Sequence, residues 1–574
     1  MSEAGSLDLV LAWHMHQPDY RDHATGEFTV PWVYLHAIKD YTDMAWHLER
    51  HPGMRAVVNL APVLLDQIED YSQQFATGTL RDPLLRLLVR DDAQPLTTAE
   101  RDYALDNCFH ANHLKMIAPF PAYKGLHDLY LSLEAHGRAA LAYLSDQYIY
   151  DLLTWFHLSW TGETLRRQNE TIPRLMTMGS GFSRAHRLEL SALIGECIAQ
   201  IVPRFRVLGA DGRVELSTTP HYHPLAPLLI DFGAVREALP DAPLPIAPTY
   251  PGGRESVSFH IRSALDSHAR RFGAPATGMW PAEGAVSAAF LRMLGETGVT
   301  WVASSQSVLA NSLRQHGGRA LSQARDLYLP YRITAVSPSL LCFFRDERLS
   351  DLVGFEYAAW HGSDAAANFV QELERIAASA PLGERPTVSV ILDGENAWEH
   401  YPYNGFYFLS ELYGRLESHK RIRPQTFASC VAQRLHSAAE VRPKTGELPG
   451  ITAGSWVYGN LSTWIGSAQK NHAWDLLASA KQSFDIVIGS GRFDAQRAAA
   501  ARRQLADCEG SDWFWWFGDY NPAAAVESFD RLFRAKLSNL YRLLELPVPN
   551  ALGSPISHGG GHPEAGGAMR RSSA

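Results

Sequence analysis

Seven short apolar runs punctuate this chain, and each stops abruptly on polar or acidic residues. Residues 7–13 hand over to His14, Met15, His16, Gln17 and Pro18, and 56–60 end around Asn59. Residues 214–217 lead into Thr218, Thr219, Pro220, His221, Tyr222 and His223, and 277–280 into Pro281, Ala282 and Glu283. Residues 300–303, 340–344 and 388–392 deliver Ser304, Arg345 and Asp393 in the same manner. Continuous apolar runs of this length read as strands buried on both faces. Helical patterns separate most of them, so the repeat is a βα unit. Seven units predict a barrel one strand short of the usual eight, with its site at the C-terminal ends of the strands.

A chain of 574 residues exceeds what one core supports. The three- and four-residue apolar spacing between about 63 and 210 predicts a helical insertion too long to be one crossover. Strand signals fade beyond 405. The expected organisation is therefore α/β: an incomplete (β/α)7 barrel over 1–404 carrying the helical insertion, a C-terminal helical domain over 405–550, and a disordered Gly-, Ser-, Pro- and His-rich tail from Ala551 to 574.

A net charge of −9, without a Lys/Arg-rich block, argues against nucleic acid and anionic membranes as partners. No run approaches the roughly 20 apolar residues a membrane helix needs. The five cysteines are scattered and odd in number, and no signal peptide is visible, so a cytoplasmic protein is expected. Many of the 15 Trp and 22 Tyr lie beside polar and acidic residues, where flat rings suit sugar faces.

Glu283 and Asp393 end different strands and suit paired acid/base and nucleophilic work on a glycosidic bond. Asp393 is also a good helix cap, so either acid alone says little. His14 and His16, at i and i+2, point to one side of their strand. They read either as a zinc pairing or as hydrogen-bonding groups at a polar rim, and the second reading is preferred.

Five segments together resemble glycoside hydrolase family 57. They are His14-Met15-His16-Gln17-Pro18; Glu215-Leu216-Ser217 through His221, Tyr222 and His223; Gly278-Met279-Trp280-Pro281-Ala282-Glu283; Leu392-Asp393-Gly394-Glu395-Asn396-Ala397-Trp398-Glu399; and Gly454-Ser455-Trp456 through Asn460, Thr463, Trp464, Ile465 and Gly466. They occur in the family's order. The resemblance implies a retaining enzyme on α-glucans, with Glu283 as nucleophile and Asp393 as general acid/base. It places His14, His16, Trp280, His221, Glu395, Trp398, Trp456 and Trp464 at the substrate. It implies no cofactor and no metal, which disfavours the zinc reading.

Amylase and amylopullulanase-like members resemble the second segment best, so the leading expectation is hydrolysis of α-1,4 bonds in starch, glycogen or maltooligosaccharides, with α-1,6 bonds as a further target. The alternatives are an α-glucan transferase (a 4-α-glucanotransferase or branching enzyme), a zinc-dependent α-mannosidase-like hydrolase, and a non-catalytic glucan-binding protein.

Overall fold

The computed structural model describes residues 5–561 except 338, 382–383 and 437–442. Among the described residues ten strands form one sheet system: β1 (Leu7–Met15), β2 (Ala56–Leu60), β3 (Val214–Ser217), β4 (Gly278–Met279), β5 (Trp301–Ser305), β6 (Tyr331–Ile333), β7 (Leu341–Arg345), β8 (Thr387–Asp393), β9 (Ile422–Pro424) and β10 (Gly446–Leu448). Seven parallel strands follow the order β3-β2-β1-β8-β7-β5-β4, in agreement with the expected seven-unit architecture.

The ring is held weakly at two seams. Between β3 and β4 a single bridge, Thr218 to Met279, carries the contact, with the Trp280 N–H donating to the Thr218 carbonyl at 3.0 Å. Between β7 and β8 the register rests on Arg345 opposite Ser389. The sheet is thus an incomplete (β/α)7 barrel rather than a closed cylinder.

Three strands escaped the sequence reading, each only three residues long. β6 runs antiparallel to β7, β10 pairs with β6, and β9 pairs with the first residues of β1. Strands therefore continue past 405. Of the stretch expected from Ala551 to be a disordered tail, the first residues are ordered: Leu552, Ile556 and Ser557 are buried, and Asp530 accepts hydrogen bonds from the Ile556 and Ser557 N–H groups. Residues 562–574 lie outside the described residues.

The two-residue period of a strand decides which groups reach the barrel interior. Val10, Ala12, Val57, Trp280, Trp301, Ala303, Leu341, Phe343 and Ile391 form one inner cluster, sealed below by Phe427, Cys430 and Val431 of the helix Phe427–His436. One step further along the same inward rows stand His14, Asn59, Arg345 and Asp393. Apolar side chains dominate the lower layers, with Asp8, Glu215 and Ser389 as polar members of the same rows, and the cleft opens at the polar last layer.

The inner packing leaves no room beside Trp301. A Cβ on Gly278 would lie 1.8 Å from the Trp301 indole, whose N–H donates to Glu215 at 2.6 Å. Gly278→Ala is expected to displace that ring and loosen the weak β3–β4 seam, lowering unfolding free energy by about 2–3 kcal/mol in urea titration. An unchanged midpoint would mean that the seam yields freely.

Between β2 and β3 lie the insertion helices, from Pro62–Thr77 to the 27-residue helix Arg184–Ala210. After β10 come Ala468–Gly489, Ala495–Cys508, Ser511–Trp516 and Ala523–Leu543. The last of these carries Lys536, whose buried ammonium donates to Asp507 and to the Arg21 carbonyl, tying the C-terminal helices to the loop after β1. No helix among the described residues is long and apolar enough to cross a membrane.

Candidate active site

In-register pairing lines up the first polar row. His14 stands opposite Asn59 on one side and Asp393 on the other, and Asn59 stands opposite Ser217. Neighbours in register on parallel strands project to the same face. Asp393, His14, Asn59 and Ser217 therefore form a continuous arc at the barrel mouth, joined by hydrogen bonds from His14 Nδ1 to Asn59 Oδ1 (2.7 Å) and from Asn59 Nδ2 to Ser217 Oγ (2.9 Å).

Glu283 enters across the barrel from a tight turn after β4. Its φ of 58° is left-handed, a conformation costly for a residue with a Cβ. The turn is held by its surroundings: the Trp456 backbone N–H donates to the Glu283 carbonyl at 3.0 Å, and Ser304 Oγ donates to the Gly284 carbonyl at 2.7 Å. The carboxyl then accepts two hydrogen bonds, from the Trp456 indole N–H to Oε2 and from Ser511 Oγ to Oε1, each 3.0 Å.

Ser511 and Asp512 begin a C-terminal helix that docks on the loop after β3, where the Ser511 N–H donates to the His223 carbonyl at 2.8 Å. His223 also has a left-handed backbone (φ 56°), and its ring stacks on His16 with centroids 3.8 Å apart. His16 Nε2 lies 3.0 Å from both carboxylate oxygens of Asp512, while its backbone N–H donates to Glu395 at 3.1 Å. Glu395 also accepts from Gln17 and Tyr41.

Four carboxyl groups thus crowd one buried cleft. Burial, then the charges of Asp512 and Asp393, push Glu283 up from the ordinary 4.5 to about 8, against the opposing pull of Trp456 and Ser511. Burial also raises Asp393, opposed by Asn396, His16 and Arg345. Glu395 is raised well above its ordinary value by burial and then by the Asp393 charge. Burial holds His14 down to about 3 and His223 far below its ordinary range, with His16 adding to both effects, so these two imidazoles are neutral at physiological pH.

The sequence profile of glycosyl hydrolase family 57 matches residues 10–441, three quarters of the chain. The chain belongs to glycosyl hydrolase family 57. Among solved structures, it is similar to a family 57 branching enzyme from Thermococcus kodakaraensis (15% identity, TM-score 0.55, covering 94% of this chain and 90% of that one). It is also similar to an α-amylase from Thermotoga maritima (11%, 0.55, 94% and 93%) and a 4-α-glucanotransferase from Thermococcus litoralis (14%, 0.51, 94% and 60%). At such identities these likenesses speak for the fold. No curated protein matches significantly.

Of the residues singled out in this family 57 chain, Glu283, Asp393, His14, His16, Glu395, Trp280 and Trp456 come together. Trp280 is buried against Trp456, with ring centroids 5.3 Å apart, and its indole N–H has no partner among the described residues. Three others lie elsewhere. His221 faces Asp66 (3.0 Å) and Ser263 (2.7 Å), because the turn at Pro220 sends it outward and His223 inward. Trp398 is core: its N–H donates to the Gly394 carbonyl, and its ring packs edge-on against Trp13. Trp464 is fully buried among the C-terminal helices, beside Trp515 and Trp474.

Asn59, His223, Ser511 and Asp512 complete the cleft beside Glu283, His14 and His16. Alternation from Val57 points to Asn59, and His223 stood in the second segment. No sequence signal ties Ser511 or Asp512 to the barrel, since that contact depends on how the C-terminal helices dock.

His16, His223 and Asp512 bring ligand-type atoms within 4.8 Å of one another. The His16 and His223 rings are stacked 16° from parallel, so their in-plane lone pairs run side by side instead of converging. Both His223 nitrogens already have partners, Ser511 and His14. The trio is poorly arranged for tetrahedral zinc. In the second such group, Asp19, His23 and Asp507, the Arg21 and Lys536 cations already pair with the carboxylates.

Proposed function

We propose that this family 57 protein is a retaining α-glucan hydrolase that cleaves α-1,4 bonds, and α-1,6 bonds as a further target, with Glu283 as nucleophile and Asp393 as general acid/base. The observation that carries the reading is that two buried carboxyls share one barrel mouth: Asp393 stands in register beside His14, and the hydrogen bonds from His14 through His223 and Ser511 lead to Glu283, whose carboxyl also feels the Asp393 charge. A double displacement needs one ionised carboxylate and one protonated acid. In the free site burial lifts Glu283 strongly, the reverse of what a nucleophile needs. In mutually interacting carboxyls, however, the protons belong to the set. Glu283 accepts two hydrogen bonds, against one, from Asn396 at 3.0 Å, for Asp393. With a sugar bound, the positive charge developing at the anomeric carbon draws the negative charge further to Glu283. His16 Nδ1 and the Trp280 N–H, both without a partner among the described residues, supply polar contacts for sugar hydroxyls, while His14, held by Asn59 and His223, forms the wall beside Asp393 and Glu395 orients the His16 backbone.

With both acids raised, the acidic limb of kcat/KM is expected above the ordinary glutamate value of 4.5. The similar structures named as branching enzyme and glucanotransferase support transfer as the second reading. Incubation with amylose separates the two: new reducing ends support hydrolysis, whereas new α-1,6 links or a redistributed chain length without new reducing ends support transfer.

A further inference from the structure

A chain of hydrogen bonds runs from the candidate nucleophile to the far side of the barrel mouth. Glu283 Oε1 meets Ser511 Oγ at 3.0 Å, Ser511 Oγ meets His223 Nδ1 at 2.8 Å, and His223 Nε2 meets His14 Nε2 at 3.1 Å. His14 Nδ1 then meets Asn59 Oδ1 at 2.7 Å, and Asn59 Nδ2 meets Ser217 Oγ at 2.9 Å. Five loci far apart in sequence build it: β1, β2, β3 with its loop, the turn after β4, and a helix more than 200 residues beyond that turn.

Each neutral imidazole carries one proton, so a donor on one side obliges an acceptor on the other. The chain therefore has two self-consistent directions. In the first, Ser511 donates to an ionised Glu283, His223 donates from Nδ1 to Ser511, and His14 donates from Nε2 to His223. His14 Nδ1 must then accept, which requires the Asn59 amide nitrogen to face it. In the second, a protonated Glu283 donates to Ser511, Ser511 donates to His223 Nδ1, His223 donates from Nε2 to His14, and His14 donates from Nδ1 to Asn59 Oδ1. Passing from the first to the second adds one solvent proton to Glu283, moves each imidazole proton to its other nitrogen and turns the Asn59 amide; no bond between heavy atoms changes.

We propose that Ser511 is a positioning residue whose hydroxyl couples the Glu283 carboxyl to the His223–His14–Asn59 chain, so that the orientation of Asn59, four hydrogen bonds from Glu283, helps set whether Glu283 is ionised. Its kinetic consequence rests on Glu283 being the nucleophile. The ionised direction aims a hydroxyl at the carboxylate that attacks in the first step and departs in the second. The raised pKa of Glu283 and the neutral imidazoles agree with a chain that exists in both directions around neutrality. The other charged or titratable groups facing this cleft are Asp512, Asp393, Glu395, His16 and Arg345, and none of these five side chains is a link in the chain.

The experiment measures the Glu283 titration directly, by difference infrared spectroscopy of the carboxyl band assigned with Glu283→Gln, alongside the acidic limb of kcat/KM. Ser511→Ala is expected to move the Glu283 titration about one pH unit upward, because a donor to the carboxylate is lost; Ser511→Thr restores it. Asn59→Asp accepts permanently from His14 Nδ1 and fixes the second direction, so the titration again moves up. That second shift is expected to vanish in a Ser511→Ala background. An equal Asn59→Asp shift in both backgrounds marks through-space charge and overturns the coupling, as does a Ser511→Ala titration that superposes on the wild type. If Asn59→Asp does not fold, the Ser511→Ala and Ser511→Thr pair decides alone. Should the titration shift while Glu283→Gln remains active, the coupling stands and the nucleophile reading falls.

Discussion

Glu283→Gln is expected to lower kcat on amylose by about 10⁴-fold or more, with the fold retained. The amide has almost the same shape and can still accept from the Trp456 indole, but it cannot attack an anomeric carbon. The same substitution is expected to raise stability in alkaline solution. Burial moves Glu283 from 4.5 in the unfolded chain to about 8 in the native one. Between these values the native state holds a proton that the unfolded state has released, so the wild type loses stability as pH rises through that window. Glutamine has no such proton, so Tm of the variant should exceed that of the wild type at pH 8 and equal it at pH 4. Loss of turnover with a gain in alkaline Tm distinguishes a strained, buried reactive group from a structural one. Near-normal turnover would place the nucleophile elsewhere.

The barrel was legible because its signal is local. Each of the seven ring strands is an apolar run with a polar end, and two-residue alternation continued past Ala12, Val57 and Ile391 leads directly to His14, Asn59 and Asp393. What the sequence concealed follows from long-range docking. β6, β9 and β10 are three residues each, too short for any periodicity to register. Within the second segment, His221 and His223 share chemistry and spacing, and only the left-handed turn at His223 selects the inner one. Trp398 and Trp464 were placed at the substrate by segment membership, yet aromatic rings are mostly core, and both are buried in this protein. Ser511 and Asp512 open an aromatic stretch that reads as helix packing. Trp513 and Phe514 are indeed buried in the helical core, while the side chains of the two residues before them reach Glu283 and His16 in the cleft.

Asp393→Asn is expected to show a loss that depends on the leaving group, and this dependence tests its role more sharply than the loss itself. On amylose the departing group is a sugar hydroxyl that needs a proton, and removing the general acid should cost about 10²–10⁴-fold in kcat. An aryl α-maltooligosaccharide with an acidic phenol departs unaided, so the first step should persist and release one equivalent of phenol in a burst. The glycosyl-enzyme then waits, because no base activates water for the second step. Azide needs no base. It should enter where Asp393 stood, restore turnover and give a glycosyl azide of the original α configuration, since two inversions have occurred. The surroundings of Asp393 favour this outcome: its one hydrogen bond, from Asn396, survives in part with an amide, and its place in register beside His14 is set by the backbone. Equal losses on amylose and aryl substrate, without a burst and without acceleration by azide, would show that Asp393 positions the sugar instead of moving its proton.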